Sequence, residues 1–193
     1  MRLFSIRVVS GLIVLAVGLF GLVNAAGAQL APYAMFSAGH YSGQGVGNGT
    51  SSTQSGGITA LGGTFGLYDD FLRMGPVRLG SDFRVIVENS SNSTPYGNKI
   101  FGGLTGLRLD GSGVPVLPVT PYVQAEIGGV GTNNGTSTSR TGSFAYQVQF
   151  GGDFTIVPHI QARLEYGAGQ LTNISNVNHT LQTFGAGIVF KLP

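Results

Sequence analysis

The 193-residue chain has no cysteine and no tryptophan, and only 9% of its residues are charged, against about 25% in an average soluble domain. The lack of cysteine excludes both a disulfide framework and a thiolate metal site. No basic cluster occurs in the body of the chain, which argues against nucleic acid as a partner. Glycine, by contrast, is abundant, with 33 copies. The composition is that of one domain with a large apolar fraction and very little charge.

The N-terminus has the features of an export signal. A short stretch with two arginines precedes an almost wholly apolar run over residues 8–23, and Ala26 and Ala28 then form an A-x-A cleavage pattern. The run falls short of the roughly 20 residues that a membrane-spanning helix needs. We therefore predict a cleaved signal peptide at residues 1–28 and a mature chain that begins near Gln29. Removing two of the ten Lys and Arg residues leaves eight against eight Asp and Glu, so the mature protein is neutral.

The mature sequence alternates between apolar and polar residues, which is the signature of β-strands. The clearest segment runs from Val77 to Glu88. One of its faces consists of Val77, Leu79, Ser81, Phe83, Val85 and Val87. The other face consists of Arg78, Gly80, Asp82, Arg84, Ile86 and Glu88. A strand of this kind has one face suited to an apolar medium and one suited to a polar interior.

Eight segments show this pattern, and most approximate the 9–11 residues of a tilted membrane-crossing strand. The predicted strands are about Tyr33–Tyr41, Ile58–Tyr68, Val77–Glu88, Lys99–Leu109, Pro121–Val130, Ser143–Ile156, Ile160–Gly169 and Leu181–Leu192. Their connections alternate in character. Long polar loops are predicted at 42–57, 89–98, 131–142 and 170–180, and the other connections are 69–76, 110–120 and 157–159. Long loops face outside in bacterial barrels and short turns face the periplasm, so both termini are expected in the periplasm.

These features together predict an all-β fold, an eight-stranded antiparallel up-and-down transmembrane β-barrel in the bacterial outer membrane. A closed sheet satisfies every backbone N–H and C=O group within the protein, as hydrocarbon requires. Its exterior must be apolar, whereas its interior can be polar. Glycine on the inward face leaves room for longer side chains in a narrow barrel.

The charged residues of the strands fall on the inward-facing positions, with five cations and five anions. Buried charges must be paired, and we therefore expect a structural salt-bridge network that fills the lumen. The predicted members are Arg78, Asp82, Arg84, Glu88, Arg108, Glu126, Asp153, Arg163, Glu165 and Lys191.

Two segments resemble the small OmpA/OmpX-like outer-membrane β-barrel family. One segment is similar to the family's sixth and seventh strands. It consists of Phe-Gly-Gly-Asp-Phe at residues 150–154, followed by His159, Arg163 and Tyr166. Residues 185–190, Gly-Ala-Gly-Ile-Val-Phe, are similar to its last strand. The resemblance covers residues 33–193 and implies the barrel architecture rather than an activity. Such proteins usually end in an aromatic residue, whereas this chain ends in Lys-Leu-Pro after Phe190.

No catalytic pattern stands out, and we predict no catalytic, cofactor-binding or metal-ligating residue. His40, His159 and His179 are isolated from one another and from carboxylate clusters that would suggest zinc. The sequence has no G-x-S-x-G nucleophile motif. The glycine-rich segment 43–49 lacks both the G-x-G-x-x-G spacing and a following helix. The prediction is a protein that is not an enzyme.

The leading hypothesis is an integral outer-membrane barrel with a structural or surface-interaction role. Its expected partners are outer-membrane lipid, the barrel-assembly machinery during insertion, and a surface ligand that binds the long loops. A narrow porin-like channel for small solutes is the alternative, and an outer-membrane enzyme is less favoured. A soluble lipocalin-like binder would require an apolar lumen and a polar exterior, the inverse of this pattern.

Overall fold

The computed structural model describes residues 29–45, 54–90, 99–111, 118–133, 140–173 and 178–192. The predicted signal peptide and parts of the predicted loops lie outside these residues. Eight strands make up the described chain. They are β1 (Gln29–Gly45), β2 (Gln54–Met74), β3 (Val77–Ser90), β4 (Lys99–Asp110), β5 (Val119–Asn133), β6 (Arg140–Val157), β7 (Ile160–Asn173) and β8 (Asn178–Phe190). Among these residues, no helix has the length and apolar character to cross a bilayer.

The strands form a closed barrel in sequence order, and every neighbouring pair is antiparallel. β8 pairs with β1 over ten positions, from Tyr33 with Val189 to Ser42 with Thr180, and so closes the sheet. Closure leaves no strand edge with unpaired backbone groups. The predicted fold, an eight-stranded up-and-down β-barrel, is confirmed.

The strands tilt steeply around the barrel axis. A path across the paired residues that starts at Pro32 returns to β1 at Ser42, ten positions further along the strand. The path runs through Leu67, Phe83, Thr105, Ile127, Tyr146, Gln170 and Thr180. For eight strands this stagger corresponds to a tilt of about 40°. A barrel of this size has an interior that side chains can fill.

The strands are longer than the alternation predicts, and they extend into the predicted loops. Residues 42–45 and 54–57 belong to β1 and β2, and parts of 131–142 and 170–180 are likewise strand. At the other end, the predicted connection 69–76 is wrong, because β2 continues to Met74 and turns at Gly75 and Pro76. Gly75 has a φ of 62°, which glycine adopts without strain. A β-bulge between Asp70 and Leu72 carries the strand past two aspartates that resemble turn residues.

The two ends of the barrel differ in their connections. The turn end carries the start of β1 at Gln29 and the end of β8 at Phe190, together with the tight turns at 75–76 and 158–159. The loop end carries the segments that join β1 to β2, β3 to β4, β5 to β6 and β7 to β8.

Apolar side chains form a belt around the exterior. Leu107 is 57% exposed, Ile127 is 55% exposed and Phe150 is 58% exposed, as are many other outward residues to a similar degree. On β3 the outward apolar residues run from Val77 to Val87, and the next outward residue is the exposed Asn89. Ten residue steps at about 40° of tilt span roughly 25 Å, which matches the apolar band of an outer-membrane barrel. The outward face is thus built to contact lipid.

Glycines on the inward face make room for tyrosine rings from the adjacent strand. Tyr33 pairs with Gly66, and Tyr122 pairs with Gly151. A Cβ atom at either glycine would collide with the ring of the paired tyrosine. Because the glycine has no side chain, each ring can extend over the neighbouring strand. There it contacts a buried arginine of the lumen.

We expect Leu107→Arg to destabilise the barrel by about 2–4 kcal/mol, because a cation near the middle of the belt must leave water for hydrocarbon. Leu107 pairs with Ser81, about halfway between the two ends of the belt on β3. Urea unfolding of protein refolded into lipid vesicles measures the change. Asn89→Arg is the matched control at the loop-end edge of the belt, where the expected cost is at most about 1 kcal/mol. Equal costs at the two positions would contradict the placement of the belt.

Candidate functional site in the barrel lumen

The inward-facing residues are arranged in three layers, ordered by the strand register from the turn end to the loop end. The turn-end layer contains Asp70, Arg78, Arg108, Asp110, Asp153, Arg163 and Lys191. The middle layer contains Asp82, Arg84, Gln124, Glu126, Gln147, Gln149 and Glu165. An apolar layer lies above them, toward the loop end, and Glu88 extends beneath it. The alternation of β2 to β8 places these charged side chains inside.

Asp153 is the centre of the turn-end layer and binds two arginines. Its Oδ1 accepts a hydrogen bond of 2.7 Å from Arg163 Nε, and its Oδ2 accepts one of 2.9 Å from Arg163 Nη2. Arg108 Nη2 donates to the same Oδ2 at 2.7 Å. None of the three side chains is more than 1% exposed. A bidentate pair with both partners desolvated is a strong, geometrically specific contact.

Three tyrosine rings enclose the two guanidinium groups bound to Asp153. The Arg108 guanidinium carbon lies 3.6 Å from the ring centroid of Tyr122 and 4.2 Å from that of Tyr68. The Arg163 guanidinium carbon lies 4.4 Å from the centroid of Tyr33. Stacking over an aromatic face partly compensates the desolvation of a guanidinium group. The tyrosines therefore stabilise a pair of neighbouring cations that share one carboxylate.

At the mouth of the turn end, Arg78 joins two carboxylates that belong to neighbouring strands. Its Nη1 lies 3.4 Å from Asp70 Oδ2, and its Nε lies 3.5 Å from Asp110 Oδ1. The Arg78 side chain is 23% exposed, so this contact is partly solvated. Lys191 is half-buried near the same mouth, and within the described residues it forms no ion pair shorter than 4 Å.

Arg84 is the centre of the middle layer and contacts three carboxylates. Its Nε lies 2.8 Å from Glu126 Oε1 and 3.3 Å from Asp82 Oδ1, and its Nη1 lies 2.5 Å from Glu165 Oε1. Tyr33 donates its hydroxyl hydrogen to Asp82 at 2.8 Å. The carboxylates also accept hydrogen bonds from neutral groups. These donors are the Tyr122 hydroxyl to Glu165 at 2.7 Å, and the Gln124 and Gln147 amides to Glu126, each at 3.0 Å.

Glu88 is a buried carboxylate that stands apart from the arginines. It is 1% exposed and accepts hydrogen bonds of 2.8 Å from the hydroxyls of Ser37 and Tyr41. Among the described side chains, no cation lies within 4 Å of it. The expectation that Glu88 takes part in an ion pair is therefore wrong, since its partners are neutral hydroxyl groups.

The apolar layer closes the loop-end half of the lumen. It consists of Tyr41, Ala60, Ile86, Ile100, Leu104, Val130, Ala145, Leu171 and Leu181, all at most 8% exposed. The predicted charge network, which fills the whole lumen, does not include this apolar layer. Its signal is present in the sequence, because these apolar residues have the same parity as the inward-facing charges on their strands.

Two further lumen carboxylates, Asp70 and Asp110, are absent from the predicted network. Both were assigned to connections, whereas they end up 7% and 2% exposed beside Arg78. With Asp69, which lies on the outward parity of β2 but is also buried, every one of the eight acidic residues of the chain is buried. The equal count of five lumen cations and five anions is thus wrong, and carboxylates are in excess.

The described residues contain no group of three or more His, Asp or Glu side chains that could hold a metal ion. His40 is exposed and lies 3.3 Å from the Thr59 hydroxyl, while the side chain of His179 lies outside the described residues. His159 occupies the tight turn between β6 and β7 with a φ of 69°, and its Nδ1 lies 3.1 Å from the Lys191 carbonyl oxygen. The two described histidines are thus a surface residue and a turn residue.

Comparison with solved structures identifies similar barrels. Neisserial surface protein A matches with a TM-score of 0.56 and 18% identity, over 84% of this chain and 99% of that one. The outer membrane protein OprG from Pseudomonas aeruginosa matches with a TM-score of 0.50 and 10% identity, over 85% of this chain and 95% of that one. No family model and no curated protein matches the sequence.

Closure of the sheet, the apolar belt and these structural matches define a transmembrane β-barrel of the bacterial outer-membrane class. Within that class, the chain has the fold of the small OmpA/OmpX-like barrels, as residues 150–166 and 185–190 predict. At these levels of identity the likeness concerns the fold, and the function must be argued from the lumen and the exterior.

We expect Asp153→Asn to destabilise the barrel by about 3–5 kcal/mol, because it leaves Arg108 and Arg163 buried without their shared carboxylate. Urea unfolding in vesicles, read by the loss of heat-modifiable gel migration, measures the loss. Arg73→Gln is the control, since Arg73 is exposed and its change should cost no more than about 1 kcal/mol. A cost for Asp153→Asn as small as that of the control would show that the two arginines do not depend on Asp153.

Proposed function

We propose that this protein is a non-conducting outer-membrane barrel that anchors its loops at the cell surface and has a structural or surface-interaction role. The observation that carries this proposal is the filled lumen. Two charged layers and one apolar layer occupy it in series. The described cavity between the layers has room for about one water molecule. A solute path would have to break buried ion pairs and also wet the apolar layer.

The apolar layer is a stronger barrier to water and ions than the two charged layers. Charged side chains can exchange partners with water and ions, whereas an apolar constriction excludes both by dewetting. Ile100, Leu104 and Leu181 are each at most 2% exposed and pack together within this layer. A porin-like channel would instead need a continuous polar path along the axis.

Planar-bilayer recording of the refolded protein tests this proposal. We expect no stable stepwise current from the unmodified protein or from Arg108→Ala, because that substitution leaves the apolar layer intact. Thinning the layer with a double substitution, Leu104→Ala and Leu181→Ala, should produce transient currents if folding is retained.

Stable unitary currents from the unmodified protein would overturn the non-conducting role and favour the channel. Currents that appear in Arg108→Ala would show that the charged layers, rather than the apolar layer, close the lumen. Heat-modifiable gel migration of each variant is the control that the barrel is folded in the recording.

We propose the orientation in which the loop end faces outside and the turn end, with both termini, faces the periplasm. The segments at 42–57, 89–98, 131–142 and 170–180 would then present any surface ligand site. Export by a signal peptide at residues 1–28 and insertion by the barrel-assembly machinery complete the proposal. Its supports are the tight turns at one end and the long polar connections at the other.

Single-cysteine labelling tests the orientation, and the cysteine-free sequence makes it clean. We expect Ser93→Cys, in the segment between β3 and β4, to react with a membrane-impermeant maleimide on intact cells. Pro158→Cys, in the tight turn between β6 and β7, should react only after the outer membrane is permeabilised. The reverse pattern would show that the loop end faces the periplasm.

A further inference from the structure

The excess of buried carboxylates lies in one part of the lumen. The turn-end layer has three carboxylates and four cations, so it carries no negative excess. Its members are Asp70, Asp110 and Asp153 with Arg78, Arg108, Arg163 and Lys191. The middle layer and Glu88 together have four carboxylates and one arginine, namely Asp82, Glu88, Glu126 and Glu165 with Arg84. Buried carboxylates without enough countercharge are costly in a low-dielectric interior, so a bound cation or bound protons would stabilise this region.

A small cavity opens beside these carboxylates. Its wall includes Ser37, Thr64, Glu88, Gln147 and Thr183, and it has room for about one water-sized particle. Arg84 also reaches the wall, but its guanidinium group is already bound by three carboxylates. Part of the wall is apolar and includes Met35, Ile86 and Phe184, so the oxygen groups beside Glu88 are the part of the wall that could bind a cation.

Two side-chain oxygen atoms of residues that line this cavity have no hydrogen-bond partner among the described residues. Gln147 is 2% exposed, and its amide nitrogen donates to Glu126, which leaves its Oε1 buried and without a hydrogen bond. The Thr183 hydroxyl is likewise buried and unpartnered. Unsatisfied buried oxygens that border a cavity indicate an occupant that supplies positive charge or hydrogen-bond donors.

We propose that this cavity binds one small monovalent cation, Na⁺, held by the Glu88 carboxylate with oxygens of Gln147, Thr183 and Ser37. Hard oxygen ligands suit an alkali cation, and Glu88 is a carboxylate that accepts hydrogen bonds from hydroxyls but forms no ion pair within the described residues. A divalent ion is disfavoured, because Ca²⁺ takes six to eight oxygen ligands and Mg²⁺ retains several waters, for which the cavity has no room. The bound cation would offset part of the negative excess of the middle layer. The proposal does not depend on whether the barrel conducts.

The test compares the thermal transition of the refolded protein in NaCl and in N-methylglucamine chloride, at the same ionic strength and at one neutral pH. We expect the midpoint to be higher in NaCl by about 3 °C or more, because only the folded barrel offers the site. The difference should disappear in Glu88→Gln. Asp110→Asn is the matched control, since it makes a similar acid-to-amide change in the turn-end layer and should retain the Na⁺ effect.

Thr183→Val serves as a second variant should Glu88→Gln fail to fold, since it removes an unpartnered hydroxyl with little change of shape and should reduce the Na⁺ effect. Crystals grown in thallium(I) should show an anomalous peak in the cavity. Equal midpoints in the two salts with no thallium peak would overturn the proposal. So would a Na⁺ effect of full size in both Glu88→Gln and Thr183→Val. A midpoint that depends on pH but not on Na⁺ would assign the missing charge to bound protons instead.

Discussion

Hydrocarbon cannot hydrogen bond to a peptide group, so every backbone N–H and C=O group at membrane depth must find its partner within the protein. Here the closed sheet meets that constraint, and the pairing of β1 with β8 is the seam that completes it. Once the seam is closed, each strand has one face toward lipid and one toward a narrow axis. The apolar belt and the filled lumen follow from this division, because the same alternation supplies both faces.

The narrow axis in turn determines how charge is accommodated. Three arginines are almost wholly buried, and each is held by carboxylates and by tyrosine rings rather than by water. Glycine is the complement of this arrangement, because Gly66 and Gly151 give the rings of Tyr33 and Tyr122 the space to support the guanidinium groups. The lumen is thus a packed core. Aromatic and ionic contacts fill it in the turn-end and middle layers, and aliphatic side chains fill it at the loop end.

Much of this fold could be predicted from the sequence, since a period of two fixes which side chains share a face. Arg84 and Val85 point in opposite directions as the alternation requires. The ends of the strands were harder, because Asp69 and Asp70 have the chemistry of a turn yet continue β2 through a bulge. The partners of each charge were also beyond the sequence. Glu88 has inward parity like Glu126, but only the stagger of the strands shows that it lies next to Ser37 and Tyr41 instead of Arg84.

The burial of all eight acidic residues also affects how the barrel meets its surroundings. A typical protein surface loses negative charge as the medium turns mildly acidic, since exposed carboxyl groups take up protons near pH 4. This exterior has no exposed acidic side chain, because all eight side-chain carboxyl groups are buried. The face that the described residues present to the environment therefore carries no carboxylate charge that mild acid could remove.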